Sequence, residues 1–379
     1  MTSKSLRATS GNFQAFLIGF SIFLWVINVN EIAQFVSLIQ VAAFFQNSKL
    51  SANKYTILAI ILLCIIVIGN LYIGNYPDLI ARGFIKAIIL VLFASTLSRF
   101  LRKANRQELD IIRYSLWLSL FASLIYTGYD LWYLPQFMTF LFVFLIEELN
   151  RVKYRRSILH IFSIVILFTS LKKQIIAIVI LLKIIMRPSR GLFFALAGLI
   201  LISIAPFVWR TVAPSSAEFL ERRASSFLSE RFLKPNPYGN MRLYLVVEYA
   251  PTVLSKNWLF GYGLERYGSY SALGSGRDIE RSVLDMDDFI SRDFNSTSRF
   301  GSVSADVGLL TIWMQMGVSG LLLYAFLVRS VCRNTVGFLK TVLISLPFMA
   351  GGAAISSVGF IFLISTISAF LDLKVSKRA

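Results

Sequence analysis

Long apolar runs, recurring at about the thickness of a bilayer, constrain this chain more than any other feature. A helix that crosses a hydrocarbon core needs roughly 20 mainly apolar residues. Twelve stretches qualify, several of them short: 12–30, 32–47, 54–73, 79–100, 110–128, 131–149, 157–170, 173–187, 190–209, 305–329, 336–350 and 354–372. Between 157 and 187 one long helix is the alternative to two short ones. The expected fold is an all-α polytopic membrane protein of about twelve transmembrane helices. Composition agrees: 56% of residues are hydrophobic and only 15% charged. A soluble chain of 379 residues needs more polar surface than that.

Loop charge gives the expected orientation. Lys4 and Arg7 put the N-terminus in the cytoplasm. Alternate connections then carry Lys49 and Lys54; Arg99, Arg102, Lys103 and Arg106; Arg151, Lys153, Arg155 and Arg156; Arg187 and Arg190; Arg329 and Arg333; and lastly Lys374, Lys377 and Arg378. The connections between these are short and mostly uncharged. The net charge of +18 is thus read as the positive-inside bias, not as a nucleic-acid surface. The first apolar run is expected to stay in place, since no small-residue cleavage site follows it.

One connection is long. Residues 210–304 form an outer segment that divides a nine-span part, 1–209, from a three-span part, 305–379. It holds 12 Lys and Arg and 11 Asp and Glu, and loops this long cross the membrane largely regardless of charge. Ser215 with Glu218 makes a capping box for a helix over 215–233. Leu220, Ala224, Phe227 and Leu228 give that helix one apolar face, suited to lying on the bilayer. A second, more apolar helix is expected over 240–257. A Gly/Ser/Asp-rich loop follows from Gly261 to Ser304.

Chemistry is narrowed by what is scarce. His160 is the sole histidine, which excludes a His-rich metal site and argues against a Ser-His-Asp triad. It reads as a packed or interfacial side chain. Cys64 and Cys332 read as unpaired thiols. Asp285-Met286-Asp287-Asp288 is either a D-x-D site or a solvated acidic loop. Lys183 and Lys340 lie near inner helix ends and are expected to snorkel. Lys86 lies eight residues into its span from Asp78, too deep for easy snorkelling, and a charge there usually faces a cavity. Arg82 forms either part of that cavity or an i, i+4 pair with Asp78. Lys172 and Lys173 fall on an expected outer turn, against the positive-inside bias. Together with arginines of the long loop, such as Arg210, Arg266 and Arg299, these cations would suit a lipid-linked diphosphate, whose oxygens match guanidinium bidentately.

Two stretches carry a resemblance. One is Arg242-Leu-Tyr-Leu-Val-Val-Glu-Tyr-Ala-Pro, continuing to Trp258-Leu-Phe-Gly261-Tyr-Gly263. The other is Asp306-Val-Gly-Leu-Leu-Thr-Ile-Trp-Met-Gln-Met-Gly317-Val-Ser-Gly320. They resemble the O-antigen polymerase and ligase superfamily, the Wzy-type membrane glycosyltransferases. Thr169-Ser170-Leu171-Lys172-Lys173 resembles the family's Thr/Ser-basic turn, with Lys where Arg is common. Ligases of this pattern usually have His-Asn where Asp306-Val307 stands, so the polymerase is the closer fit.

The resemblance implies inverting glycosyl transfer on the periplasmic face of a bacterial inner membrane. Donor and acceptor are glycans on undecaprenyl diphosphate, and membrane lipids and a chain-length regulator protein are the implied partners. Arg242, Lys172, Lys173 and Arg82 would hold the leaving diphosphate, with Lys86, Arg210, Arg266 and Arg299 around them. Asp306 would be the base, with Glu248 in reserve, although Asp306 also reads as a plain helix-terminal acid. No metal or cofactor is needed, since cationic side chains can replace Mg²⁺. A lipid A–core ligase is the rival of the same chemistry. A polysaccharide flippase is the rival of another class.

Overall fold

The computed structural model describes residues 3–27, 29–47, 53–126, 134–154, 158–169, 173–186, 191–193, 195–198, 200–201, 257–264, 308–349 and 357–376. Among these residues the ordered secondary structure is helical, with no strand. The helices are α1 (Ser3–Val26), α2 (Asn30–Asn47), α3 (Lys54–Tyr72), α4 (Pro77–Lys103), α5 (Arg106–Tyr126) and α6 (Leu134–Lys153). They continue as α7 (Ile158–Thr169), α8 (Lys173–Met186), α9 (Gly308–Val331), α10 (Thr335–Met349) and α11 (Val358–Ser376). Three segments are both long and apolar enough to cross a membrane: Lys54–Tyr72, Pro77–Lys103 and Thr311–Val331. Shorter apolar helices accompany them, including Ser10–Val26, Glu31–Phe45 and Val358–Leu373. The chain is an all-α membrane protein.

Local chemistry sets several helix ends. Asn53 caps α3, its side chain accepting from the Tyr55 amide at 3.2 Å. Pro77 occupies the first turn of α4, where its missing N–H costs nothing, and Asp78 follows it at the positive end of the helix dipole. Arg102 and Lys103 stand at the opposite, negative end. Asn105 and Glu108 exchange side chain-to-backbone hydrogen bonds of 2.8 and 2.9 Å, a reciprocal cap that starts α5.

The core lies around α11 and α6. Residues 358–372 of α11 and 138–150 of α6 are buried without interruption, so both helices are covered on every side. The Phe142 and Phe362 rings meet edge to face at 5.0 Å. Trp25 of α1 packs on Phe142 and lies across Gly359, where a Cβ would come within 2.5 Å of its ring. α11 packs against α4, α6 and α10, and α9 against α3 and α4. The C-terminal helices are therefore built into the N-terminal bundle.

By contrast α3 shows one long exposed stripe. Lys54, Leu58, Ile61, Ile65, Ile68 and Tyr72 recur at steps of three and four and are all exposed. Eighteen residues of helix span ~27 Å, close to the ~30 Å of a hydrocarbon core. A lysine ends the stripe on one side and Tyr72, 92% exposed, on the other. A cation and an aromatic at the two ends of an apolar face suit the two interfaces of a bilayer.

Several of the helix ends that loop charge assigns to one side meet at one end of the bundle. Lys153 Nζ donates to the carbonyls of Leu101 and Ala104 at 3.0 and 2.7 Å. Asn53 Nδ2 donates to Ser330 O at 3.0 Å. Arg102 binds Asp372 at 2.8 Å and donates to Ser368 Oγ and to the Val331 carbonyl. We refer to this as the basic end.

Two expectations need correction. Lys183 does not snorkel: its side chain is only 17% exposed and turns inward to Glu148. The apolar run 305–329 is not one continuous helix, because α9 breaks at Gly317 (φ 62°, ψ −154°). Between 157 and 187 the structure has the two short helices α7 and α8.

Candidate functional site

The break in α9 is filled by another part of the chain. In an unbroken helix the amides of Val318 and Ser319 would bond to the carbonyls of Met314 and Gln315. Here Val318 N donates to Trp258 O at 2.9 Å and Ser319 N to Leu259 O at 3.2 Å. The vacated carbonyls are taken by the amides of Tyr262 and Gly263, at 2.8 and 3.1 Å. Two helical bonds are exchanged for four bonds to the segment 258–263. Ser319 Oγ adds a bond of 2.9 Å to Leu259 O.

Glycine makes this approach feasible. Gly261 and Gly317 both have positive φ, at 67° and 62°. A Cβ on Gly317 would fall 2.5 Å from Leu259 C and O and from Trp258 O. A Cβ on Gly261 would fall 2.6 Å from Gln315 C and Met316 N. Both contacts are with backbone, which cannot swing aside. The Gly-x-Gly of 261–263 and the glycine at 317 are two halves of one joint.

The other side of the inserted segment rests on the α3–α4 turn. Phe260 lies against Gly69, where a Cβ would meet its ring at 2.7 Å. Asn70 Nδ2 reaches Phe260 O at 3.3 Å, and Asn75 Nδ2 donates to Asn70 Oδ1 at 2.9 Å. Gly263 (φ 117°) sits over the Asn75 side chain. Tyr262 is buried, whereas Trp258 is 57% exposed. Gly317 lies nine residues into α9, or ~14 Å from its start. Irregular backbone at such a depth is tolerated where protein or a cavity satisfies it, and discontinuous helices of this kind are found at substrate sites.

Of the residues expected to form the site, Arg82 and Lys86 are described. Both lie in the first half of α4, one and two turns beyond Asp78; Arg82 is exposed and Lys86 half-buried. Lys173 is the first residue of α8. His160, near the start of α7, and Lys183, near the end of α8, both bind Glu148, so Lys173 begins α8 at the end of that helix remote from Glu148. Lys172, Arg210, Arg242, Glu248, Arg266, Arg299 and Asp306 lie outside the described residues, as do both helices expected within 215–257, the acidic run 285–288 and all of the long loop except its 257–264 portion. Among the described residues no cluster of three or more His, Cys, Asp or Glu could hold a metal ion. Cys64 and Cys332 are free thiols.

The sequence reading passed over one charged cluster. Glu148 of α6 is 1% exposed and binds His160 Nε2 at 2.9 Å, Arg151 at 2.8 Å and Lys183 Nζ. Its neighbour Glu147 accepts from Trp117 Nε1 at 3.3 Å and pairs with Arg113 at 3.6 Å. Arg113 also pairs with Asp110 at 3.2 Å. Glu147, Glu148 and Asp110 are thus each paired with cations of the same cluster, Arg106, Arg113, Arg151 and Lys183. It ties α5, α6, α7 and α8 together. Two adjacent acids inside an apolar run were the available signal. No protein-family profile, curated protein or solved structure matches this chain.

Proposed function

We propose that this protein is a Wzy-type polymerase, which joins undecaprenyl-diphosphate-linked repeat units into O-antigen or a related surface polysaccharide. On this reading it has about twelve spans, both termini in the cytoplasm, and residues 210–304 on the periplasmic side of the inner membrane. One observation carries the reading. The two stretches that resemble the superfamily lie some fifty residues apart in sequence, yet they interlock backbone to backbone at the 258–263 and 314–319 joint.

The reaction joins two lipid-linked glycans. A hydroxyl oxygen of the acceptor sugar attacks the anomeric carbon of the growing donor chain. The bond from that carbon to the diphosphate oxygen breaks with inversion, and undecaprenyl diphosphate departs with the electron pair. Positive charge arranged in advance for that leaving group is usually the largest catalytic contribution. Arg242, Lys172, Lys173 and Arg82 take this role, supported by Lys86, Arg210, Arg266 and Arg299. The hydroxyl proton passes to Asp306, or to Glu248 if Asp306 only caps its helix. General base assistance is typically worth 10²–10⁴-fold.

Chemical analysis of the surface glycan with and without the gene tests the function. Loss of the protein should leave lipid A capped with single repeats. A complete absence of capping would instead indicate a ligase or a flippase. Arg242→Ala should give the single-repeat product at normal protein level, and Arg242→Lys an intermediate one, because a point charge lacks bidentate geometry. Asp306→Asn should do the same as Arg242→Ala. Normal chain length in Asp306→Asn cells would move the base assignment to Glu248.

A further inference from the structure

The basic end of the bundle holds a second charged feature that the proposed chemistry does not use. The Arg329 guanidinium of α9 lies over the Tyr55 ring of α3, with its central carbon 4.4 Å from the ring centre. Lys54 Nζ lies 5.2 Å from the same centre. Two like charges therefore sit within roughly a Debye length of each other, about 10 Å. Neither makes an ion pair with a described residue: Arg329 donates to the Cys332 carbonyl at 2.8 Å, and Lys54 contacts the ring alone.

The adjoining connections supply no carboxylate. Residues 47–55 and 329–335 contain Lys49, Lys54, Arg329 and Arg333 and no Asp or Glu. Asp372, a nearby acid at this end, is engaged by Arg102. The side chains are nevertheless held in place, since Asn53 bonds to Ser330 O and fastens the start of α3 to the end of α9. Cations gathered on one ring repel each other unless an anion lies between or beside them.

The surface below indicates the source of that anion. Lys54 heads the exposed stripe Leu58, Ile61, Ile65 and Ile68, which runs down α3 at bilayer length. A free phosphate would meet the cations from water, whereas the stripe directly beneath them is of bilayer length and is covered by lipid acyl chains. A phospholipid uses both, its phosphodiester at the cations and its acyl chains on the stripe. We propose that Lys54, Tyr55 and Arg329 form a binding site for an anionic phospholipid headgroup in the leaflet at the basic end.

The test uses the full chain purified in a neutral detergent, with bound lipid counted by native mass spectrometry. The probes are phosphatidylglycerol, phosphatidylcholine and inorganic phosphate. Each cation near a headgroup is worth roughly fivefold in affinity. Wild type should retain phosphatidylglycerol over phosphatidylcholine, and Lys54→Gln should weaken that retention roughly fivefold. Lys54→Gln with Arg329→Gln should weaken it roughly thirtyfold. Millimolar phosphate should displace nothing. Because Arg329 also bonds to backbone, Lys54→Gln and Lys54→Arg form the decisive pair; Arg should retain the lipid. Equal retention by wild type and Lys54→Gln would overturn the proposal. So would equal retention of the two lipids, or displacement by phosphate.

Discussion

Gly317 shows how much one residue can decide. Its φ of 62° with ψ of −154° is a region essentially reserved for glycine and costs an L-residue about 1–3 kcal/mol. A methyl group there would also press into the carbonyls of Trp258 and Leu259. Gly74 is the natural control: its φ is 85° but a Cβ would meet nothing within 4 Å. Gly74→Ala should therefore lower stability by about 1–2 kcal/mol, the conformational cost alone. Gly317→Ala should cost clearly more, about 3 kcal/mol or above, since backbone must shift as well. Thermal unfolding of the two variants in the same detergent measures the difference. Equal losses would mean that the joint is loose. Of this joint the sequence showed the glycines and the order of the motifs. It did not show the joint itself, because hydrogen bonds between residues 258 and 318 are invisible in a linear pattern.

At the scale of an element, α7 and α8 are both held by the Glu148 cluster. Both helices are short, with 12 and 14 residues, and such lengths draw their stability from packing rather than propensity. Glu148→Gln would leave the Lys183 charge buried and unpaired. Breaking a buried pair from one side costs about 3–5 kcal/mol, so this variant should unfold at lower temperature or accumulate poorly. Adding Lys183→Met should restore most of the loss, because replacing both partners with apolar groups is often neutral. A double-mutant cycle on unfolding temperature checks this; full additivity of the two changes would contradict it. The expectation that Lys183 reaches out to water failed for a definite reason. Position near a helix end permits snorkelling, but a buried carboxylate one helix away offers a closer partner.

For the whole molecule, the two ends of the bundle should face opposite sides of the membrane. Cysteine-free protein carrying Lys172→Cys or Tyr270→Cys should be labelled in intact cells by a membrane-impermeant maleimide. Lys103→Cys, exposed at the basic end, should be labelled only after the membrane is opened. The geometry at the ends of the bundle motivates this. Lys153, Arg102 and Asn53 lie at one end, whereas the 257–264 segment and the α3–α4 turn meet at the other. Labelling of all three positions from the same side would refute the arrangement.

The sequence by itself determined the class of the molecule. Apolar runs of bilayer length admit only helices, because lipid offers no partner for backbone groups. Alternating loop charge already sorted the helix ends that the structure brings together at the basic end. Caps such as Asn53 and Asn105–Glu108 were equally local, since a side chain bonding two or three residues away needs no tertiary context. Only the tertiary structure decided which helices face lipid and which are buried. In a chain where nearly every span is apolar, α3 and α11 look alike in composition, yet one shows an exposed stripe and the other none. Only the tertiary structure also revealed that α9 is broken, that Glu148 holds three helices, and that Lys54 and Arg329 share one ring. Each is a pairing between residues dozens to hundreds of positions apart. Local pattern records what a residue needs, namely burial, a partner or water, and the fold alone selects which distant residue supplies it.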